Sequence, residues 1–168
     1  MADTEKSNRR ARLIIVCGLP GSGKTTRATF LESKLGAIRF SADEWLNALS
    51  LDFWDEDSRA KIEALQWNLG QQLLAQGVSI IIEWGTWARA ERDALRLGAR
   101  AQGAAVELQY LSAPLDVLFE RVRRRPKEDP PIQREQLSEW LDDFQAPTSE
   151  EMALFDEPLI AEAKQGTP

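Results

Sequence analysis

The sequence contains no histidine, and this absence excludes more chemistry than any other feature of its composition. Without imidazole, the protein has no Ser/His/Asp catalytic group, no histidine zinc ligand and no histidine general base. Carboxylates, lysines or the single tyrosine must therefore carry any acid–base step. The single Cys17 excludes an internal disulfide, and its place in an apolar run predicts a small buried side chain.

Long apolar segments are also missing. No run approaches the ~20 residues that a membrane-spanning helix needs, and the first dozen residues are polar. These features predict a cytoplasmic protein without a membrane partner. A length of 168 residues, with 43% hydrophobic and 29% charged residues, predicts one well-buried domain. We expect this domain over residues 12–158, between a flexible N-terminal tail (1–11) and a C-terminal tail (159–168).

A surplus of basic residues is missing as well. The net charge is -6, from 27 acidic and 21 basic residues. Proteins that bind the phosphate backbone of nucleic acids normally present a dominant basic surface. The charge therefore counts against a nucleic-acid partner, although a short oligonucleotide in a local basic groove stays open. The oligomeric state cannot be read from these features.

Short β-branched runs alternate with helical patterns along the chain. This alternation predicts an α/β fold, with a parallel sheet of four or five strands in the order 2-3-1-4 and helices on both faces. Ligands in such folds bind at the carboxyl ends of the strands. Strands are predicted at 13–17, 37–40, 78–83 and 105–111, and helices at 23–35, 41–49, 58–76, 88–102, from 114 onward, and 133–144. The helix at 58–76 is expected to bury Ile62, Leu65, Leu69 and Leu73.

The strongest motif is GLPGSGKT at residues 18–25, a full match to the Walker A pattern G-x-x-x-x-G-K-[ST]. Its glycines let successive backbone N–H groups point at one phosphate, and the following helix adds its positive end. Lys24 is expected to reach the β- and γ-phosphates, and the Thr25 hydroxyl to coordinate Mg²⁺. The motif predicts ATP and Mg²⁺ as cofactors, bound by Gly18, Pro20, Gly21, Ser22, Gly23, Lys24, Thr25 and Thr26.

Two carboxylates follow the predicted second and third strands. Asp43 is placed to accept the proton of an acceptor hydroxyl, or only to stabilise the first turn of its helix. Glu83 follows three isoleucines, where it can hold Mg²⁺ through water or hydrogen-bond the acceptor. Its simpler interpretation is a strand-end acid that reaches water.

Aromatic and charged side chains surround these carboxylates in the sequence. Four tryptophans lie in the segments that follow the same two strands: Trp45, Trp54, Trp84 and Trp87. They predict either the wall of an acceptor pocket or core packing. Arg92, in the helix after strand three, is a candidate for binding the acceptor. The acidic residues over 52–57 either form a solvated loop or attract a cationic acceptor electrostatically.

Four arginines precede a proline-bracketed segment, and we interpret residues of about 121–136 as a lid. Arginine pairs bidentately with phosphoryl oxygens and can neutralise charge that develops during transfer. Spacing favours Arg121 and Arg125, one helical turn apart, with Arg124 as a substitute. The alternative is that these charges only solvate a helix surface.

Taken in order, several stretches resemble the small P-loop kinases of the AAA-type ATP-binding protein family, which are related to polynucleotide kinase, chloramphenicol phosphotransferase and zeta toxins. The matching stretches are GLPGSGKTT, FSADEWL, IIIEWG, LFERVRRR and FQAPTSEE, between Leu13 and about Pro158. The sequence departs from the family at Glu83, where aspartate is usual. The acceptor-binding arginines of polynucleotide kinases have no match beyond Arg92.

The resemblance implies an ATP-dependent kinase with Asp43 as its base, Arg121 and Arg125 on the phosphates, and Pro147 beside the adenine. The tryptophans and acidic loop favour a small, neutral or cationic hydroxylated acceptor such as an antibiotic or aminocyclitol. Two alternatives stay open. One is a nucleoside, nucleotide or polynucleotide 5′-kinase, and the other is a nucleotide-binding regulatory ATPase.

Overall fold

The structure is a computed structural model that describes residues 10–125 and 127–161. Within these residues the chain forms four strands and seven helices, joined by loops. Most of the two predicted tails, and Pro126 of the proline-bracketed segment, lie outside these residues. The strands are β1 Arg12–Cys17, β2 Ile38–Phe40, β3 Ile80–Ile82 and β4 Ala105–Tyr110. The helices are α1 Lys24–Leu35, α2 Ala42–Ala48, α3 Glu56–Ala75, α4 Arg89–Ala101, α5 Leu115–Arg124, α6 Arg134–Asp143 and α7 Ser149–Met152.

The strands form one parallel sheet in the order β2-β3-β1-β4, which confirms the predicted fold and strand order. Leu13 of β1 pairs with Ile80 of β3 on one side and with Val106 of β4 on the other. Ile38 of β2 pairs with Ile80 from the far side of β3. Because all four strands run in the same direction, their carboxyl ends meet at one edge, where the functional side chains collect.

Both faces of the sheet are buried, which explains why β1 is a continuous apolar run instead of an alternating one. Leu13, Ile15 and Cys17 face the larger core cluster, whereas Ile14 and Val16 face a smaller one that α1 covers. Burial raises the pKa of the Cys17 thiol to about 12. Cys17 is therefore the small buried side chain that the sequence predicts.

Helix α3 buries a different stripe from the predicted one. Its buried residues are Ile62, Gln66, Gly70 and Leu74, while Leu65 and Leu69 are 63% and 42% exposed. Gln66 enters the core because it is satisfied there: its amide donates to Ser41 O at 3.0 Å and accepts from Trp84 Nε1 at 2.7 Å. Gly70 allows close approach to the sheet, since a Cβ there would lie 2.8 Å from Ile80 Cδ1. The prediction for Leu65 and Leu69 was therefore wrong.

Among the described residues, no helix is both long and apolar enough to cross a membrane.

Candidate active site

The phosphate loop connects the end of β1 to the start of α1. Gly21 and Gly23 adopt φ values of 82° and 99°, which glycine reaches without a steric penalty. A Cβ at Gly21 would lie 2.6 Å from Leu118 O, so this glycine lets the loop pack against α5. A Cβ at Gly23 would meet no atom within 4 Å. That open space at the N-terminus of α1 forms a cradle that fits a phosphate group.

Lys24 and Thr25 begin α1 and line the cavity above this loop. The Lys24 ammonium donates a hydrogen bond to Leu19 O at 3.1 Å, which holds the side chain across the loop. Burial lowers the pKa of Lys24 to about 8, although Asp43 and Glu83 oppose that effect. Phosphate binding at this position would compensate the partly desolvated ammonium with opposite charge.

Glu83 follows β3 and is almost completely buried. Its Oε1 accepts a hydrogen bond from Arg39 Nη1 at 2.6 Å, while no described residue satisfies its buried Oε2. Burial raises the pKa of Glu83, and nearby Ser41, Arg39 and Thr25 counteract part of this rise. A free carboxylate oxygen beside a threonine hydroxyl fits Mg²⁺, which takes few protein ligands and keeps several waters.

Asp43 lies in the first turn of α2, whose N-terminus is capped by Ser41 accepting from Glu44 N. Its Oδ1 accepts a hydrogen bond from Arg59 Nη1 at 2.7 Å, and 44% of its side chain is exposed. The Arg59 guanidinium in turn stacks over the Phe53 ring, 4.8 Å from the centroid. Asp43 is thus held in place without being sealed from the cavity.

A second cavity of about 480 Å³ adjoins the phosphate cavity. Its aromatic wall contains Phe53, Trp54, Trp84, Trp87 and Trp140. The Trp140 ring lies 6.2 Å from Trp54 and 5.6 Å from Trp87, so three separate segments meet there. Five residues line both cavities and form the boundary between them: Pro20, Lys24, Asp43, Phe53 and Glu83. We call this second cavity the acceptor pocket.

Trp45 is not part of this pocket, contrary to the sequence-based expectation. It lies on the other side of α2, where it packs against the core and meets the Phe40 ring edge-on, with centroids 6.3 Å apart. Trp84 and Trp87 do line the pocket. The difference arises because Asp43 and Trp45, two positions apart on a helix, point in different directions.

The expectation that Arg92 contacts the acceptor is also corrected. Its side chain is 0% exposed and forms a salt bridge with Glu151 at 2.6 Å. Its guanidinium donates further hydrogen bonds to the carbonyl oxygens of Thr86, Trp87 and Gln145. With its donors engaged inside the protein, Arg92 instead fixes the 86–87 turn against α7.

The arginines at the end of α5 divide into two groups. Arg121 donates to Gly21 O at 3.1 Å, and both Arg121 and Arg125 line the phosphate cavity with Lys127. Arg124 instead pairs with Glu120 at 2.9 Å and is 74% exposed, so its predicted nucleotide contact is corrected. The salt bridge to Glu120, one turn earlier on α5, holds the Arg124 side chain at the exposed surface and away from the phosphate cavity.

Two residues predicted to contact the nucleotide, Thr26 and Pro147, do not line the phosphate cavity. Thr26 lines a shallow cavity beside α1, together with Ser22, Gly23, Arg121 and Arg125. This cavity continues from the phosphate loop and offers room for the rest of a nucleotide. Pro147 is half-buried after α6, and its contact with adenine stays a prediction.

A protein-family comparison places these features in context. The family model described as an AAA domain matches residues 13–147. The chain belongs to this AAA domain family. The match runs from β1 through the phosphate loop, Asp43, Glu83 and the lid arginines to Pro147, and it confirms the resemblance found in the sequence.

Solved structures similar to this AAA-domain chain share its P-loop kinase fold. A gluconokinase from Sinorhizobium meliloti is 21% identical, with a TM-score of 0.59 over 86% of this chain and 81% of that one. A chain of the Pnkp1/Rnl/Hen1 RNA repair complex is 19% identical, with a TM-score of 0.67 over 90% of this chain and 49% of that one. Kti12 of Chaetomium thermophilum, in complex with ADP-AlF3, is 21% identical, with a TM-score of 0.62 over 82% of each chain. No curated protein matches the sequence.

Several side chains of the site were not predicted from the sequence. Arg39, Arg59 and Glu63 look like ordinary strand or helix charges, and no local signal marks their partners. Trp140 follows an unremarkable amphipathic pattern in α6. One signal was available: Arg59 and Glu63 are four residues apart and share a helix face. Together with Phe53, these residues belong to the site in addition to those predicted from the sequence.

Glu63 provides a test of this geometry. Burial raises its pKa from 4.5 to about 7, with Glu91 and Asp43 raising it and Arg59 lowering it. Because the folded-state pKa is the higher one, its contribution to stability is present below about pH 4.5 and lost as pH rises through about 7. We expect Glu63→Gln to increase the free energy of unfolding at about pH 8 by about 1–2 kcal/mol, after allowance for its partial exposure.

Urea denaturation of both proteins at about pH 4 and about pH 8 checks this expectation. The gain should vanish at the lower pH, and Glu135→Gln, at an exposed site on α6, should show no comparable gain. An equal effect at both pH values would contradict the raised pKa.

Proposed function

We propose that the protein is an ATP-dependent kinase that transfers the γ-phosphate of ATP to a hydroxyl of a small-molecule acceptor. The observation that carries this proposal is the position of Asp43 and Lys24 on the boundary between the phosphate cavity and the acceptor pocket. A hydroxyl held in the acceptor pocket beside Asp43 faces the end of the phosphate loop. This juxtaposition supports transfer between two substrates more directly than hydrolysis.

In the proposed reaction, the acceptor oxygen attacks the γ-phosphorus while the bond from that phosphorus to the ADP oxygen breaks. ADP leaves with the electron pair of the broken bond, and Asp43 takes the hydroxyl proton. The ion pair with Arg59 orients the Asp43 carboxylate. Lys24, Arg121 and Arg125 line the phosphate cavity and would neutralise charge on the transferring group.

Thr25 and Glu83 would hold Mg²⁺, which supplies charge neutralisation on the phosphates when bound. Their common cavity and the free Glu83 Oε2 support this part of the proposal. We further propose a cytoplasmic location, where ATP is available.

The pocket lining supports a compact acceptor with apolar faces and several hydroxyls. Five aromatic side chains supply broad apolar surfaces, and their carboxylate neighbours supply hydrogen-bond acceptors. An aminocyclitol or an antibiotic of similar chemistry fits this lining. The excess of carboxylates counts against the phosphate backbone of a polynucleotide.

ADP release from Mg-ATP, with and without an acceptor panel, tests the proposal. The panel contains aminoglycosides, other antibiotics, gluconate, nucleosides and a 5′-hydroxyl oligonucleotide. We expect acceptor-dependent release in the wild-type protein and a loss of about 10²–10⁴-fold in Asp43→Asn, because general-base catalysis has that magnitude. Asp142→Asn, an exposed site on α6, serves as the matched control.

The possible results separate the candidate functions. Release stimulated only by the oligonucleotide or nucleosides would favour the 5′-kinase alternative. Release that ignores every acceptor and survives in Asp43→Asn would overturn the proposal in favour of a regulatory ATPase.

A further inference from the structure

The acceptor pocket has an unequal charge balance. Two cations line it, Lys24 and Arg59, against five carboxylates: Asp43, Glu56, Glu63, Glu83 and Glu91. Lys24 lies at the phosphate boundary, and Arg59 is engaged by Asp43. The part of the pocket away from the phosphate loop is therefore negative, a field that attracts cations and repels anions.

The carboxylates differ in how they are already used. Asp43 and Glu83 have arginine partners at 2.7 and 2.6 Å, and Glu91 accepts a hydrogen bond from Ala88 N at 2.9 Å. Glu56 is exposed at the start of α3. Glu63 is half-buried, one helical turn beyond Arg59 on the same face of α3. Among these carboxylates, Glu63 has the environment that most disfavours a negative charge. A ligand cation beside it would stabilise the ionised carboxylate.

The same pocket is also lined by aromatic rings. Trp84 and Trp87 follow β3, while Trp54 and Trp140 close the side nearest α6. The faces of tryptophan rings attract alkylammonium groups, and desolvation in a pocket strengthens that attraction. A carboxylate together with several indole rings is a chemical environment suited to a protonated amine.

A separate feature is a polar group on the pocket wall that a ligand can contact. Thr86 lies on the pocket wall and is 7% exposed. Its buried hydroxyl lies close to the Cys17 thiol, a weak hydrogen-bonding group, and has no stronger partner among the described residues. Its φ of 43° is unusual for a β-branched residue and is held by the Arg92 hydrogen bond to its carbonyl oxygen. A buried hydroxyl on a pocket wall with only a thiol beside it is a group that a polar ligand can satisfy.

From these features we propose that the acceptor carries a protonated amine, which Glu63 and the tryptophans of the pocket bind while a hydroxyl of the same molecule lies beside Asp43. This inference rests on the proposed kinase function and narrows its substrate to amino-substituted polyols. The same carboxylates disfavour anionic polyols by charge repulsion. Amine binding itself does not require ATP, so it can be measured apart from phosphate transfer.

The test compares two rings that differ in their amines. Isothermal titration calorimetry, without ATP, follows binding of the diaminocyclitol 2-deoxystreptamine and of myo-inositol, which carries only hydroxyls. We expect the amine to bind the wild-type protein more tightly and Glu63→Gln to weaken it about tenfold, since a charge-assisted hydrogen bond is lost. Binding of myo-inositol should not change in that variant, and Glu135→Gln should bind both rings as the wild type does.

A pH series adds a second readout. The groups that act on Glu63 are Arg59, Glu91 and Asp43, and its pKa is about 7. Because an ammonium prefers the ionised carboxylate, amine affinity should rise as pH increases through about 7 in the wild type and not in Glu63→Gln. A merely structural role for Glu63 would leave this pH dependence in the variant.

Failure of this inference is distinguishable from failure of the kinase proposal. Equal binding of the two rings, or no binding of the amine, overturns amine recognition, and acceptor-dependent ADP release with a neutral polyol would then keep the kinase proposal intact. Amine binding that depends on Glu63, without any acceptor-dependent ADP release, would support the amine site and overturn the kinase.

Discussion

Arg121→Ala is expected to slow acceptor-dependent ADP release by about 10³-fold or more, the magnitude that arginines contribute to phosphoryl transfer. Arg121 lies over the phosphate loop, with its Nη1 3.1 Å from Gly21 O. Arg125 lines the same cavity, so Arg125→Ala should also reduce the rate. The reason is that a guanidinium neutralises charge on the transferring group.

Arg124→Ala is the matched control on the same helix. It removes the same charge from a side chain that is 74% exposed and paired with Glu120, so the rate should stay close to that of the wild type. The measurement is the maximal rate and the KM for ATP in all three variants. Equal losses for Arg121 and Arg124 would contradict the division of the lid arginines described above. A change in KM alone would assign Arg121 to ground-state binding of the nucleotide.

The second large effect concerns stability. Arg92→Met is expected to lower the free energy of unfolding by about 3–5 kcal/mol, because it leaves the Glu151 carboxylate buried without its partner. Glu151 is 1% exposed, and the lost guanidinium also serves three backbone carbonyl oxygens. A loss of this size is a large fraction of the stability of a domain, which is about 5–15 kcal/mol.

Urea denaturation of a double-mutant cycle measures this contribution. The double variant Arg92→Met with Glu151→Leu removes both charges, so it should recover part of the stability lost in Arg92→Met. Arg89→Met, at the exposed start of the same helix, should change stability by no more than about 0.5 kcal/mol. If Arg92 instead bound the acceptor, Arg92→Met would raise the KM for the acceptor and leave the unfolding transition in place.

Phosphate-loop residues were predictable because their signal is local. A β-branched run, a glycine-rich turn and a helix start occupy adjacent positions between Leu13 and Leu35, and the structure has β1, the loop and α1 there. The capping role of Ser41 follows in the same way from four adjacent residues, and it places Asp43 in the first turn of α2.

Two of the errors, on Arg92 and on the buried stripe of α3, arise from partners that are distant in sequence. Arg89 and Arg92 look equivalent along the helix, and only the approach of Glu151, 59 residues away from Arg92, makes one of them a buried ion pair. Leu65 has the more apolar side chain, yet Gln66 is buried because Trp84 and Ser41 satisfy its amide. Hydrophobic periodicity contains no information about such partners.

Thus the amino-acid pattern alone establishes the order of strands and helices, the parallel sheet and the phosphate loop, since each depends on neighbours within a few residues and on general rules of chain connection. The acceptor pocket is decided by the fold. Its lining joins Asp43 of α2, Glu63 of α3, Trp87 before α4 and Trp140 of α6, and only packing of these four segments brings their side chains to one cavity. Which charges in it are neutralised by arginine, and which stay free for a ligand, follows from that packing.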